Sequence, residues 1–172
     1  FNVCWPMYAA MPAIMKDAII KAYEEAGWDI DTSVNEVSEK LFPSFLDVMN
    51  QVKVILNSSE YSSDTKGDYV GALVSRLKTL TNGINGQIFT VNALSDRDLF
   101  DENVIIDMSR VGSMETKSLI MGLLVLKLQE YRLSEDKSDS KGLKHITVLE
   151  EAHNLLRRTS TEQSSESANL LG

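Results

Sequence analysis

"HITVLEEAHNLLRR", residues 145–158, decides how this chain is read. Its apolar run, 146–149, is short and strand-like, and it leads straight into two adjacent carboxylates, Glu150 and Glu151. Taken as a strand, the run puts both acids at the carboxyl edge of a sheet, where open parallel sheets bind their ligands. Taken as a helix, Ile146, Leu149, His153 and Leu156 share one stripe. The glutamates then lie near its N-terminus, where the peptide dipole favours negative charge. Periodicity alone does not separate the two, because short apolar runs fit either.

Upstream sequence offers such a strand a partner. "NVIIDMS", 103–109, has an unbroken apolar centre that ends in Asp107, as suits a parallel strand covered on both faces. Leu119, Ile120, Leu123, Leu124, Leu126, Leu128 and Tyr131 then mark a helix that is apolar nearly all round and therefore buried. The polar loop "SEDKSDSKGLK" leads on to "HITVL". Strand, helix and strand in that order predict a right-handed βαβ unit. "QIFTV", 87–91, reads as a further strand.

The first half has a different period. Met11, Ile14, Met15, Ala18, Ile19 and Ala22 are spaced for a helix, with Pro12 at its start and Gly27 as its stop. Ser33 and Glu36 have the spacing of a capping box. Pro43 opens a second helix, with Phe42, Phe45, Leu46, Met49, Val52 and Leu56 on one face. A third carries Val70, Leu73, Val74, Leu77 and Leu80 and ends at Asn82-Gly83. These stripes are core positions and need no cofactor to explain them.

Composition bounds the function. The chain has 172 residues, 43% hydrophobic and 24% charged, enough to bury a core. A net charge of −8 argues against a broad nucleic-acid-binding face on this segment. Cys4 is the lone cysteine, which rules out an internal disulfide and fits a reducing cytoplasm. One cysteine with two histidines is too few for a zinc cluster. The uncharged run 118–126 is too short to span a bilayer. The chain opens on "FNVCWPMYAAMPAIM", already inside an apolar pattern, and is expected to be a piece of a longer protein. The Ser/Glu-rich tail, "RRTSTEQSSESANLLG", is expected to be mobile.

An apolar strand ending in two acids has the form of a Walker B motif. There the first acid stands on the Mg²⁺ side and the second activates the attacking water. A phosphate-binding loop, G-x-x-x-x-G-K-[ST], is absent from the sequence. The nearest stretch is "RVGSMETKS", 110–118, whose Lys117-Ser118 pair mimics the end of such a loop. Val111 and Thr116 stand where its glycines should be, and those glycines let backbone N–H groups wrap the phosphates. Lys117 therefore reads better as a residue on the first turn of a helix. Arg76, Arg110 and His153 are candidates to meet a phosphate, and each equally suits a structural pairing. Arg157-Arg158 reads as a solvated helix end.

Four stretches in order carry a resemblance: "FNVCWPMYAAMPAIMKDAIIKAYEEAGWDI", "KGDYVGALVSRLKTL", "NVIIDMSRVGSMETKSLIMGLLVLKLQEYR" and "HITVLEEAHNLLRR". Together they resemble the HerA-like branch of the HerA/FtsK superfamily of ring-forming P-loop ATPases. The resemblance spans most of the chain, apart from 134–144 and the tail. It implies an α/β fold: a helical insertion subdomain over 1–83, then a partial RecA-like ATPase core over 84–172 made of parallel strands with a crossover helix. It implies a homo-hexameric, cytoplasmic DNA translocase or helicase using ATP and Mg²⁺, with DNA and a nuclease or other effector as partners and no membrane. By position, Glu151 matches the catalytic glutamate and Glu150 the metal-side acid, where the general Walker B pattern has Asp. With no phosphate-binding loop of its own, this segment is expected to be inactive alone. A DEAH-type helicase and a non-catalytic helical and α/β interaction module are the alternatives.

Overall fold

The structure is a computed structural model that describes residues 5, 7–90, 94–134, 142–150 and 152. The chain divides into two compact units, one of Met7–Ala93 and one of Phe1–Pro6 with Leu94–Gly172.

The first unit is helical. Helix α1 (Met11–Glu25) buries Met11, Ile14, Met15, Ala18 and Ala22, the stripe that its sequence spacing marks. Helix α2 (Phe45–Ser58) buries Val48, Met49, Val52 and Leu56 and packs against both α1 and α3 (Ser63–Thr81). Of the residues its spacing places in the core, Phe42 lies ahead of the helix and Leu46 is on it, and both are exposed. Leu73, Leu77 and Leu80 of α3 are fully enclosed. The core is a seam of apolar side chains at helical spacing, and burial of that seam is what stabilises such helices.

Two short strands, β1 (Trp28–Asp29) and β2 (Val34–Asn35), make an antiparallel hairpin between α1 and α2. The Ser33–Glu36 capping box does not form. Ser33 sits in the hairpin turn with φ of 57°, whereas a helix cap needs an extended backbone. The carboxylate of Asp29 accepts the N–H groups of Asp31 and Thr32 at 2.9 and 3.0 Å, closing the turn from its own side chain. The capping box lies instead at Ser44, whose hydroxyl accepts from Asp47 N while Asp47 accepts from Ser44 N.

Asn82 and Gly83 do end α3, but the chain then enters a further helical turn, α4 (Gly83–Ile88). Gly83 takes φ of +58°, which allows the change of direction. Gln87 and Ile88 therefore close a helix and are not the start of a strand. Asn85 Nδ2 donates to Thr79 O at 2.9 Å and Phe89 meets Phe45 edge to face, so local bonds outweigh the β propensity of that stretch.

In the second unit, α5 (Asp96–Phe100) precedes the longer α6 (Met114–Ser134). Ser113 Oγ accepts from Thr116 N at 3.1 Å and so caps α6. Thr116, Leu119, Ile120 and Met121 are the buried positions of α6.

The expected α/β class is overturned here. Among the described residues the only sheet is the antiparallel pair β1–β2, and no parallel RecA-like core is present. The run 103–108 and the run 143–149 form no strand, and both lie open: Ile105 is 96% exposed and Val148 82%. The physical reason lies in what such a strand requires. A central parallel strand needs a hydrogen-bonding neighbour on each side and cover on both faces. Two short runs with one helix between them can supply neither, and two strands alone are marginal in water. Residues 153–172, which include the expected mobile tail, are outside the described residues.

Candidate functional site

Asp107 keeps its expected place at the end of an apolar run, but not on a sheet edge. Its carboxylate folds back onto Ser109, accepting the backbone N–H at 2.8 Å and the hydroxyl at 3.1 Å. The Ser109 backbone bond holds the Asp107 carboxyl below its ordinary value, helped by the Ser109 hydroxyl and by the charges of Arg110 and Lys117. Asp107 is therefore an ionised, solvent-facing carboxylate flanked by two cations just before α6.

The stretch 110–118 has no phosphate-cradling geometry. Val111 and Thr116, which occupy the two glycine positions, are both buried. The Thr116 N–H, one of the first-turn donors an anion would need, is already taken by Ser113. Lys117 is half-buried on the first turn of α6, and its N–H bonds to Ser113 O.

Glu150 is exposed in a turn that follows the run 143–149. Glu151, His153, Arg157 and Arg158 lie outside the described residues, so the acid pair is seen through one member only. Arg76 is half-buried on α3 and belongs to the other unit from Arg110 and Glu150.

A different cluster, which no sequence motif marks, is built around Asp101. Tyr131 donates its hydroxyl to Asp101 Oδ2, and Arg132 Nη1 bonds Oδ1 at 2.9 Å. Arg132 Nη2 also donates to Phe100 O at 2.8 Å, with the guanidinium 5.1 Å from the Tyr131 ring centre. The same carbonyl lies 2.9 Å from His145 Nδ1. A carbonyl only accepts, so Nδ1 donates to it, and Nε2 lies 2.8 Å from the Thr147 hydroxyl. His145 thereby ties the start of the "HITVL" run to the end of α5. Tyr131, Arg132 and His145 lie 30 residues or more from the Phe100 and Asp101 groups they bond, and no local pattern marks such pairs.

Among the described residues, no three His, Cys, Asp or Glu side chains come together as a metal-holding group. None of their helices is long and apolar enough to cross a membrane. Comparison with protein-family models, with curated proteins and with solved structures finds no match.

Proposed function

We propose that this chain is a segment of an ATP-hydrolysing DNA translocase or helicase of the HerA-like kind, working in the cytoplasm as a homo-hexamer with a nuclease or other effector as partner. The observation that carries the reading is sequence order: "NVIIDMSRVGS" followed by "VLEEAHNLLRR", two apolar runs that each end in acid. In this reading Glu151 takes the proton of the attacking water and Glu150 stands on the Mg²⁺ side. Mg²⁺ usually takes one or two carboxylates, with phosphates and water completing its shell. One exposed carboxylate at Glu150 suits Mg²⁺ brought in with ATP, and does not suit a bare ion held by protein alone. The phosphate grip would come from a segment other than this one, since the sequence here holds no loop of that kind.

Replacing Glu151 with Gln tests the proposal in the full-length protein. The change keeps the size of the side chain and removes the base. Binding of Mg-ATP stays near normal, and single-turnover hydrolysis falls by about 10²–10⁴-fold, the usual worth of general-base help. Glu150→Gln weakens Mg-ATP binding instead. Full activity in both variants overturns the reading. This chain alone, titrated calorimetrically with Mg-ATP, binds no tighter than about millimolar, or about −4 kcal/mol.

A second reading, a non-catalytic interaction module, is favoured by a specific observation. The runs 103–106 and 146–149, which a nucleotide-binding core would bury, stand exposed. Exposed apolar runs of this kind suit a surface that another polypeptide covers. ATP hydrolysis lost in Glu151→Gln decides for the motor, and retained hydrolysis for the module.

A further inference from the structure

The β1–β2 hairpin and the chain after it present an apolar surface that the helical core leaves open. Trp28 stacks on Phe42 with ring centres 5.0 Å apart, and Tyr23 meets both rings edge-on at 6.4 Å. Trp28 Nε1 donates to Leu41 O, which fixes residues 41 and 42 against the hairpin. Val37 covers the backbone of Gly27, where an added Cβ would meet its Cγ2 at 2.9 Å, and still is 73% exposed. Leu41 and Phe42 are exposed as well. Scattered exposed apolar residues need no explanation, but here the Tyr23, Trp28 and Phe42 rings form one group, with Leu41 tied to it through its carbonyl and Val37 over the adjoining Gly27.

The surface is preformed. Asn35, buried beneath it, accepts from Val37 N and Ser38 N at 2.8 Å each and donates to Ala26 O at 3.0 Å. A partner would not have to order this loop, which lowers the cost of docking.

Charge selects the occupant. Between residues 24 and 41 stand Glu24, Glu25, Asp29, Asp31, Glu36 and Glu39, all exposed, against the single lysine Lys40. Nucleic acid and anionic lipid surfaces are repelled by such a rim. A second copy of the chain would bring the same acids face to face, and like charges across an interface are costly. A basic partner is attracted, its charges raising the rate of encounter while apolar anchors supply the affinity.

We propose that the Trp28, Val37 and Phe42 surface docks a Lys/Arg-rich segment of a partner protein that carries one or two large apolar side chains. This does not rest on the ATPase reading, since the surface lies in the helical unit of Met7–Ala93.

The test is selection of a random displayed peptide library on the immobilised chain, followed by affinity measurement with the recovered peptides. Recovered sequences are expected to be net positive with a Leu, Phe or Trp anchor, and to quench or shift the Trp28 emission of a Trp5→Phe variant. Val37→Ser, at an exposed position, weakens them at least about tenfold, or 1.4 kcal/mol. The double reversal Glu36→Lys with Glu39→Lys, which touches no core residue, does the same and flattens the salt dependence that screening produces. Far-ultraviolet circular dichroism confirms that each variant is folded, and the charge variant serves if Val37→Ser is not. Neutral or acidic consensus peptides, no enrichment at all, or equal binding to wild type and both variants overturns the proposal. So does sedimentation showing a dimer that Val37→Ser dissolves and basic peptides leave intact.

Discussion

Tyr131 and Arg132, neighbours in the last turns of α6, share the carboxylate of Asp101, the residue that ends α5. The Tyr131 hydroxyl bond is the largest influence holding the Asp101 carboxyl below its ordinary value, with the Arg132 bond and charge adding to it. A carboxylate whose folded pKa is depressed stabilises the fold fully above its unfolded value. That contribution is lost as pH falls through the lowered, folded value. Asp101 is accordingly expected to titrate below the ordinary carboxylate range when followed by carboxyl ¹³C NMR. Tyr131→Phe moves the midpoint up towards the ordinary value. An unmoved midpoint would mean that the hydroxyl bond does not form in solution.

Leu77 and Ile105 set the opposite ends of the burial scale, at 0% and 96% exposed. Leu77→Ala in α3 empties part of the helical core and is expected to cost about 2–5 kcal/mol. Ile105→Ser, on an open run, is expected to stay within about 0.5 kcal/mol of wild type, as surface changes do. Urea denaturation measures both. A loss at Ile105 as large as that at Leu77 would show the run to be packed, against the exposure seen here.

How much of this was legible in the sequence depended on how local the deciding interactions are. The helices α1, α2 and α3 were readable because each carries its own stripe at helical spacing, and the stripe residues Ile14, Leu56 and Leu77 are buried as their spacing requires. Helix α6 was readable as a helix but not in its burial, since Leu123 and Leu126, expected inside, are exposed. The apolar runs 103–106 and 146–149 misled, because strand propensity says nothing about whether neighbours exist to complete a ladder. Ser33 misled for a different reason: the Ser-x-x-Glu spacing was present, but Asp29 and Asn35 supplied a competing turn. At the candidate site, the acid of Asp107 was readable as the end of an apolar run. Its return to Ser109 is a two-residue turn that an Asp-x-Ser sequence permits without requiring. The clasp of Asp101 with Tyr131 and Arg132 is a long-range pairing that one sequence does not encode visibly.

Ser44 closes the α2 capping box with Asp47. Removing the hydroxyl leaves the N–H of Asp47 without its acceptor, and Ser44→Ala is expected to cost about 0.5–2 kcal/mol. Asp47→Asn keeps a hydrogen-bond acceptor but removes the negative charge near the helix N-terminus, so a smaller loss of about 0.3–1 kcal/mol is expected. Thermal denaturation of the two single variants gives the order, and a larger loss for Asp47→Asn would show the charge, and not the hydroxyl, to dominate the cap.

Gly27 joins α1 to the hairpin with φ of +94°, a conformation L side chains rarely adopt. An added Cβ would also lie 2.9 Å from Val37 Cγ2 and 3.0 Å from Asn35 Oδ1. Two separate penalties are therefore expected in Gly27→Ala. The backbone part is about 1–2 kcal/mol, the usual cost of left-handed geometry for a residue with a Cβ. The contact part depends on what Val37 and Asn35 can yield. Val37 is exposed and can move, whereas Asn35 is held by two backbone N–H groups and the Ala26 carbonyl. A cycle with Val37→Ala separates the two terms, because it removes Cγ2 and leaves the backbone requirement untouched. The double variant is expected to recover only the smaller share of the loss. Asn35→Ala alone leaves the Val37 and Ser38 N–H groups unsatisfied beside a part-buried carbonyl, at about 1–3 kcal/mol for a group left without a partner. If Val37→Ala restores Gly27→Ala completely, the crowding at Cγ2 is the whole cost and the positive φ carries none of it.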